Sequence, residues 1–130
     1  MKISIITVCF NSAKTIESTL ISLRRQTYEN VEYIVIDGGS TDGTLEVLEK
    51  YKNIITKIVS EKDEGLYDAL NKGIKLSTGD IVGILNSDDM FAEDNVLECV
   101  AKFHSQANVD ATISNIQYYK IDKIVRKYSA

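Results

Sequence analysis

Four short runs of Ile, Val and Leu fall within the first 85 residues, and a helical pattern follows each of them. Residues 2–9 (KISIITVC) are rich in Ile and Val, continuous rather than alternating, so this strand is expected to be covered on both faces. Within 13–25, Ile16, Leu20 and Leu23 recur at helical spacing, with Asn11 and Ser12 available as N-caps. The second run, 31–36, ends on Asp37, and the turn sequence DGGSTDGT leads into a helix carrying Leu45, Leu48 and Tyr51. The cycle repeats with a strand over 54–59 and a helix over 65–77, whose Leu66, Ala69, Leu70, Gly73 and Ile74 share one face. A fourth strand spans 80–85, and a helix over 93–104 groups Val96, Leu97, Val100 and Ala101. This alternation over short connections specifies an α/β fold: a Rossmann-like, mostly parallel sheet flanked by helices on both faces. Right-handed crossovers then fix its topology class.

The rhythm changes after residue 107. Residues 111–119 and 123–128 read as a β-hairpin turning at Ile121-Asp122, and no helix follows to close the pattern. There is no internal repeat, low-complexity tract or linker, so residues 1–130 are expected to be a single domain, the N-terminal part of a longer chain. At 130 residues with 44% hydrophobic and 26% charged residues, disordered and fibrous classes are excluded. A net charge of -4 argues against a nucleic-acid surface, which needs clustered cations. No apolar run reaches membrane-span length, and MKISIITVCFNS reads as a first strand rather than a signal peptide. Cys9, Cys99 and the single His104 cannot assemble a four-ligand zinc site. The two cysteines are expected to be small buried hydrophobes, and a cytoplasmic location fits free thiols.

In an open parallel sheet the ligand crevice lies outside the carboxyl ends of the strands. Those ends are polar here: residues 7–12 after the first strand, Asp37-Gly38-Gly39-Ser40 after the second, Glu61-Lys62-Asp63 after the third and Asn86-Ser87-Asp88-Asp89 after the fourth. The opposite edge carries only turn residues, at 29–30, 52–53 and 77–79. Taken alone, Asp37 also suits the start of a Gly-Gly turn, and the spacing of Gly38 and Gly39 is not that of a dinucleotide fingerprint. Asp88 and Asp89 taken alone also suit a solvated loop. Two carboxylates about 6 Å apart at an effective dielectric of 20 nevertheless repel by roughly 2 to 3 kcal/mol, which calls for a nearby cation or for water. Three acidic loops at one rim would repel an anion unless a divalent cation bridged them. Oxygen-only ligands point to magnesium or manganese, with phosphate oxygens and water completing the shell.

The stretches ISIITVCFN, SLRRQTYENVEYIVIDGGSTDGT, SEKDEGLYDALNKGI and TGDIVGILNSDD, in that order, resemble the inverting family-2 glycosyltransferases of GT-A fold. The resemblance covers residues 2 to about 94. It implies that the loop after the first strand, with Thr7, Phe10 and Asn11, and the acid Asp37 hold the nucleobase and ribose of a nucleotide-diphosphate sugar, with uracil the usual base. It places Asp63 against the same nucleoside, Asp88 mainly on the nucleotide, and Asp89, with Asp88, on a divalent metal. Asn86 stands where many members have Asp. An acceptor hydroxyl, deprotonated by a carboxylate from a segment well beyond the DxD-type loop, would displace the nucleoside diphosphate with inversion. The catalytic base is thus expected past Ala130, and the implied acceptor is a glycan or a lipid-linked molecule. Peripheral association of the full-length protein with the inner face of a membrane is a further expectation.

Lys62 and Lys72 are candidate phosphate contacts, although exposed lysines are usually solvated. His104 reads as ordinary helix packing. Lys120, Lys123, Arg126 and Lys127 read as protection of the final hairpin's edges. Three other readings compete with the family-2 resemblance. A receiver-type signalling domain would carry its acid pair after the first strand, where Cys9-Phe10-Asn11 stands. A nucleotidyltransferase would need a glycine-rich basic loop there, and TVCFNSAK is poor in glycine. A non-catalytic nucleotide-binding module would use the same rim.

Overall fold

The first apolar run forms strand β1 (Ile3–Cys9), and the chain continues through α1 (Ile16–Arg24), β2 (Val31–Asp37), α2 (Thr44–Lys50), β3 (Lys57–Ser60), α3 (Leu66–Leu76), β4 (Ile81–Ile84) and α4 (Val96–Gln106). A hairpin of β5 (Ile116–Lys120) and β6 (Lys123–Tyr128) follows. This computed structural model describes residues 1–107, 109–120 and 123–129. The expected turn at Ile121-Asp122 and the side chains of Lys120, Lys123, Arg126 and Lys127 lie outside the described residues.

The four strands pair in parallel in the order β3-β2-β1-β4. β1 lies between β2 (Ile3↔Val31 to Cys9↔Asp37) and β4 (Ile3↔Ile81 to Ile6↔Ile84). Because successive side chains alternate, β1 serves two layers. Ile3, Ile5 and Cys9 join Tyr33 and Val35 against Ile16, Leu20 and Leu23 of α1, Leu48 of α2, and Leu97 and Ala101 of α4. On the opposite face Ile34 and Ile36 pack with Ala69 of α3, supported by Val8, Val59 and Leu76. The chain therefore runs outward from β1 to β3 with helices on one face and returns across the other face to reach β4. Right-handed crossovers require that change of face when the direction reverses. The reversal leaves a switch point between β1 and β4, whose carboxyl ends diverge into separate loops.

Helix α3 lies close to the sheet because Gly73 sits over Ile6. A Cβ at Gly73 would come within 2.5 Å of Ile6 Cγ2, and Ile6 is fully buried with a stiff β-branched side chain. Gly73→Ala should therefore cost roughly 1 to 3 kcal/mol of stability by overpacking, even though alanine favours helix by up to about 1 kcal/mol. Urea unfolding tests this, and an unchanged or raised midpoint would show that the helix can lift without cost.

At the amino edge, Glu32 of β2 is 2% exposed and ties three segments together. It accepts hydrogen bonds from Ser4 Oγ (2.7 Å), the Thr78 amide (2.8 Å) and Lys57 Nζ (3.2 Å), and Lys2 Nζ lies 3.6 Å away. The α3–β4 turn is thereby fixed beneath β1 and β2.

Several sequence expectations are corrected. Leu66 and Ile74 do not belong to the buried face of α3 but are 52% and 48% exposed; the contact face is Ala69 and Gly73, the small residues that let the helix approach. Cys9 is buried, whereas Cys99 is exposed on α4. β3 begins at Lys57 rather than at 54, since Ile54 closes a turn onto the Tyr51 carbonyl and Thr56 clasps the backbone of Tyr33 from both sides. Residues 111–115 fall outside the hairpin strands. Asn11 does not cap α1; the Ser12 carbonyl receives the Thr15 and Ile16 amides instead.

Candidate functional site at the carboxyl edge

The loops after β1 and β2 are stitched into one unit. Asn11, held at φ 50° in the left-handed region that Asn tolerates, accepts the Thr41 amide through Oδ1 (2.9 Å), and its own amide donates to Ser40 Oγ (2.7 Å). The Ser12 amide donates to Thr44 Oγ1 (2.9 Å), and the Ala13 amide to Asp42 Oδ2 (3.1 Å). Asp42 also accepts the Thr44 amide (3.1 Å) and hydroxyl (2.5 Å), and these bonds hold its carboxyl below the ordinary range.

Asp37 is fully buried beneath this unit. Its carboxylate accepts the Gly39 amide (3.1 Å), the Ser40 amide (3.0 Å), Ser60 Oγ (2.7 Å) and Ser40 Oγ, with Cys9 Sγ at 3.6 Å. Burial opposes ionisation, but the Ser40 and Ser60 hydroxyls and the two amides outweigh it and hold the pKa below the carboxylate range. The same burial, with the Asp37 charge beside it, pushes the Cys9 thiol well up. Thr7 is likewise enclosed, donating to the Leu85 carbonyl (2.7 Å) and accepting from Tyr33 Oη (2.8 Å). Neither side chain offers a free polar atom, so a ligand contact at Asp37 requires Ser40 or Ser60 to release it.

The other expected residues are accessible. Phe10 is 63% exposed just past β1. Asp63 lies directly over Gly38: a Cβ there would stand 2.8 Å from Asp63 Oδ2, so the absence of a side chain at 38 lets the loops after β2 and β3 meet. Asp63 also accepts the Gly65 amide (3.0 Å) at the start of α3.

Across the switch point, the Ser12 and Ser87 hydroxyls share a 2.9 Å hydrogen bond that joins the loops after β1 and β4. Beside it opens a cavity of about 500 Å³ lined by Asn11, Ser12, Lys14, Thr15, Asp42, Ser87 and Asp88. Asp88 is exposed; Asp89 accepts the Asn86 side-chain amide (3.1 Å), and the Asp89 carbonyl accepts Thr19 Oγ1 (2.7 Å), which fastens the loop to α1. The hollow at Asp88 thus takes in Asp42, and none of Asp37, Asp63 and Asp89 lines it. Among the described residues no three His, Cys, Asp or Glu side chains converge on one point. Two adjacent exposed carboxylates do suit a hard divalent ion, which accepts one or two carboxylates and takes its remaining oxygens from phosphate and water. Lys72, a candidate phosphate contact, is committed elsewhere, with Nζ 3.0 Å from both Glu61 and Asp68.

The sequence reading passed over Lys14, Thr15 and Asp42. Asp42 sits five residues past the end of its strand, where only the fold-back of the 38–43 loop brings it to the β1 loop.

The sequence pattern of glycosyl transferase family 2 matches residues 4–129. The chain is 35% identical to a cholesterol galactosyltransferase of Borreliella burgdorferi over 98% of its own length and 36% of that relative. It is 37% identical to a PGL/p-HBAD biosynthesis glycosyltransferase of Mycobacterium bovis, over 77% of this chain and 40% of the other. Among solved structures, residues 1–349 of S. aureus TarS in complex with UDP-GlcNAc superpose with a TM-score of 0.75 at 32% identity, covering 82% of this chain and 32% of that one. The mannosyltransferase PcManGT of Pyrobaculum calidifontis, in complex with GDP-Man and Mn2+, gives 0.75 at 26% identity over 92% and 35% of the two chains. The chain spans between about a third and a half of the length of these curated relatives. Its parallel sheet with helices on both faces is the GT-A-like α/β fold of those neighbours, and the chain belongs to glycosyl transferase family 2.

Proposed function

We propose that these residues form the donor-binding part of an inverting glycosyltransferase that uses a nucleotide-diphosphate sugar, with UDP as the nucleotide. The observation that supports this reading is the switch-point seam, where Ser12 and Ser87 bond and Asn11 and Asp88 line one hollow, with Asp89 the next residue along the chain. UDP-GlcNAc and UDP occupy solved TarS structures of the same fold, which supports the donor class. Phe10, 63% exposed, would offer an apolar ring to a base, and Asp63 and Asn11 would offer polar atoms to the nucleoside. Asp88 and Asp89 would hold a divalent cation, in keeping with the Mn2+ in the PcManGT complex. When bound, that ion supplies positive charge against the diphosphate as it leaves. Asn86 orients Asp89 through its amide. The acceptor would be a glycan or lipid-linked hydroxyl compound, deprotonated by a carboxylate base as it attacks. Among the described residues no helix is long and apolar enough to cross a membrane.

Calorimetry with UDP tests the reading. Binding should require manganese or magnesium, and Asp89→Ala should weaken it by about tenfold or more, as expected for a lost charge-assisted contact. Equal affinity in the presence of a chelator would overturn the metal assignment. Undetectable UDP binding at millimolar concentration would overturn the donor class.

A further inference from the structure

Among the described residues, Lys14 is the one cation lining the hollow beside Ser12 and Ser87, which also takes in the carboxylates of Asp42 and Asp88. It stands on the β1 side of that hollow and Asp88 on the β4 side. Other lysines of the fold are committed: Lys2 and Lys57 to Glu32, Lys52 to Glu49, and Lys72 to Glu61 and Asp68. Lys14 is exposed and has no ion-pair or hydrogen-bond partner among the described residues, although two acids share its space. Asp42 is already engaged by the Ala13 amide and by the amide and hydroxyl of Thr44.

The hollow opens where the chain enters α1, and backbone amides at such a place commonly meet an anion. Here they are spent. The Ser12 amide donates to Thr44, the Ala13 amide to Asp42, and the Thr15 and Ile16 amides to the Ser12 carbonyl. The neutral side chains are occupied too: Asn11 Oδ1 accepts the Thr41 amide, and the Ser12 and Ser87 hydroxyls hold each other. Two carboxylates against one ammonium leave the lining net negative. A divalent ion on the Asp88-Asp89 loop would reverse that sign on the β4 side, but Asp42 would still face an incoming anion from the other side. Like charges at close quarters repel, and the cation placed to offset Asp42 is Lys14.

We infer that Lys14 is a donor-binding residue: its ammonium meets the diphosphate of the nucleotide from the β1 side of the hollow, opposite Asp88. This rests on the donor-binding reading above. The hollow, at about 500 Å³, is of the size that takes a small molecule. A lysine suits the task because its ammonium is a compact charge on a flexible stem, able to follow phosphate oxygens without a fixed geometry. No other part of the fold uses the side chain, so its removal leaves folding intact.

The test is calorimetry of UDP with manganese present, at about 0.05 M and about 1 M salt, which bracket the screening of exposed charges. Lys14→Gln should weaken UDP binding by about three- to tenfold at the lower salt, the range of an exposed charge-assisted contact, and by less than about twofold at the higher. Lys14→Arg should bind within about twofold of wild type, since a guanidinium also meets phosphate. Lys102→Gln removes the same charge from α4, away from the lining of the hollow, and should leave binding within about twofold at both salts. Unchanged affinity in Lys14→Gln, a loss equal at both salts, a loss that Lys14→Arg shares, or an equal loss in Lys102→Gln would each overturn the inference and leave the donor-binding reading standing. A wild-type chain with no detectable UDP binding would overturn both.

Discussion

Glu32→Ala should destabilise the chain by roughly 2 to 4 kcal/mol, because the buried Ser4 hydroxyl and the Thr78 amide lose their acceptor while the partly exposed Lys2 and Lys57 can turn to water. Lys57 would lose its buried acceptor, and the Thr78 amide and Ser4 hydroxyl would lose theirs. Against a typical total of about 5 to 15 kcal/mol, that is a large fraction. The effect also has a pH signature. Burial raises the Glu32 pKa, but Ser4, the Thr78 amide, Lys57 and the Thr78 hydroxyl outweigh it and lower the value from 4.5 to about 2. A carboxyl lowered on folding contributes stability that is fully present above its unfolded pKa and is lost as pH falls through the folded one. Between about pH 5 and pH 2 the wild-type chain should therefore lose about 3 kcal/mol from this group. Glu32→Gln should lack that part of the acid slope. Urea midpoints taken across the window decide it: parallel curves for wild type and Glu32→Gln would exclude Glu32 as the source.

Asp37→Ala should act on the candidate site and on the fold together. Two backbone amides and two serine hydroxyls would be left without their acceptor, at a cost of roughly 3 kcal/mol. Cys9, shielded under the same loops, gives a direct readout. In the wild-type chain a thiol reagent should modify Cys99 quickly, because it is exposed, and Cys9 only on unfolding. In Asp37→Ala the loop unit loosens and both thiols should react under native conditions. A single fast thiol in the variant would show that Asn11, Ser12 and Asp42 hold the loops without Asp37.

These two acids differ in how far the sequence revealed them. Asp37 was legible because it ends an apolar run just before Gly-Gly, and strand ends of parallel sheets collect ligand residues. Its burial was not legible, since Ser60, the residue that closes over it from β3, lies 23 positions away. Glu32 gave no signal at all. It interrupts the run VEYIVID without changing its period, and its partners come from β1, β3 and the α3–β4 turn, which read as ordinary turn chemistry. The alternation of strands and helices was readable because each element buries a repeating apolar pattern of its own. Sheet order was readable only as a class, because pairing partners are chosen by packing between elements. The faces of α1 and α4 followed from their large apolar residues. The face of α3 followed only in part: Ala69 and Gly73 of the expected face are buried, but Leu66 and Ile74 are not, because periodicity weighs large side chains more heavily than small ones.

The seam between β1 and β4 bears on how the molecule assembles itself. Ile3 meets Val31, 28 positions along the chain, and Ile81 only 78 positions along, and the second ladder has four registered pairs where the first has seven. Loop-closure entropy makes the longer connection dearer by about 1 kcal/mol, with fewer pairs to offset it. Of the two ladders that β1 makes, this one is therefore the costlier to close. Ser12 and Ser87 meet across it, so a molecule gripped there would clamp the weaker of the two junctions that β1 makes. At a concentration one hundred times its dissociation constant, such a clamp adds about 2.7 kcal/mol. Occupancy of the crevice and closure of the β1–β4 ladder would then be one coupled equilibrium.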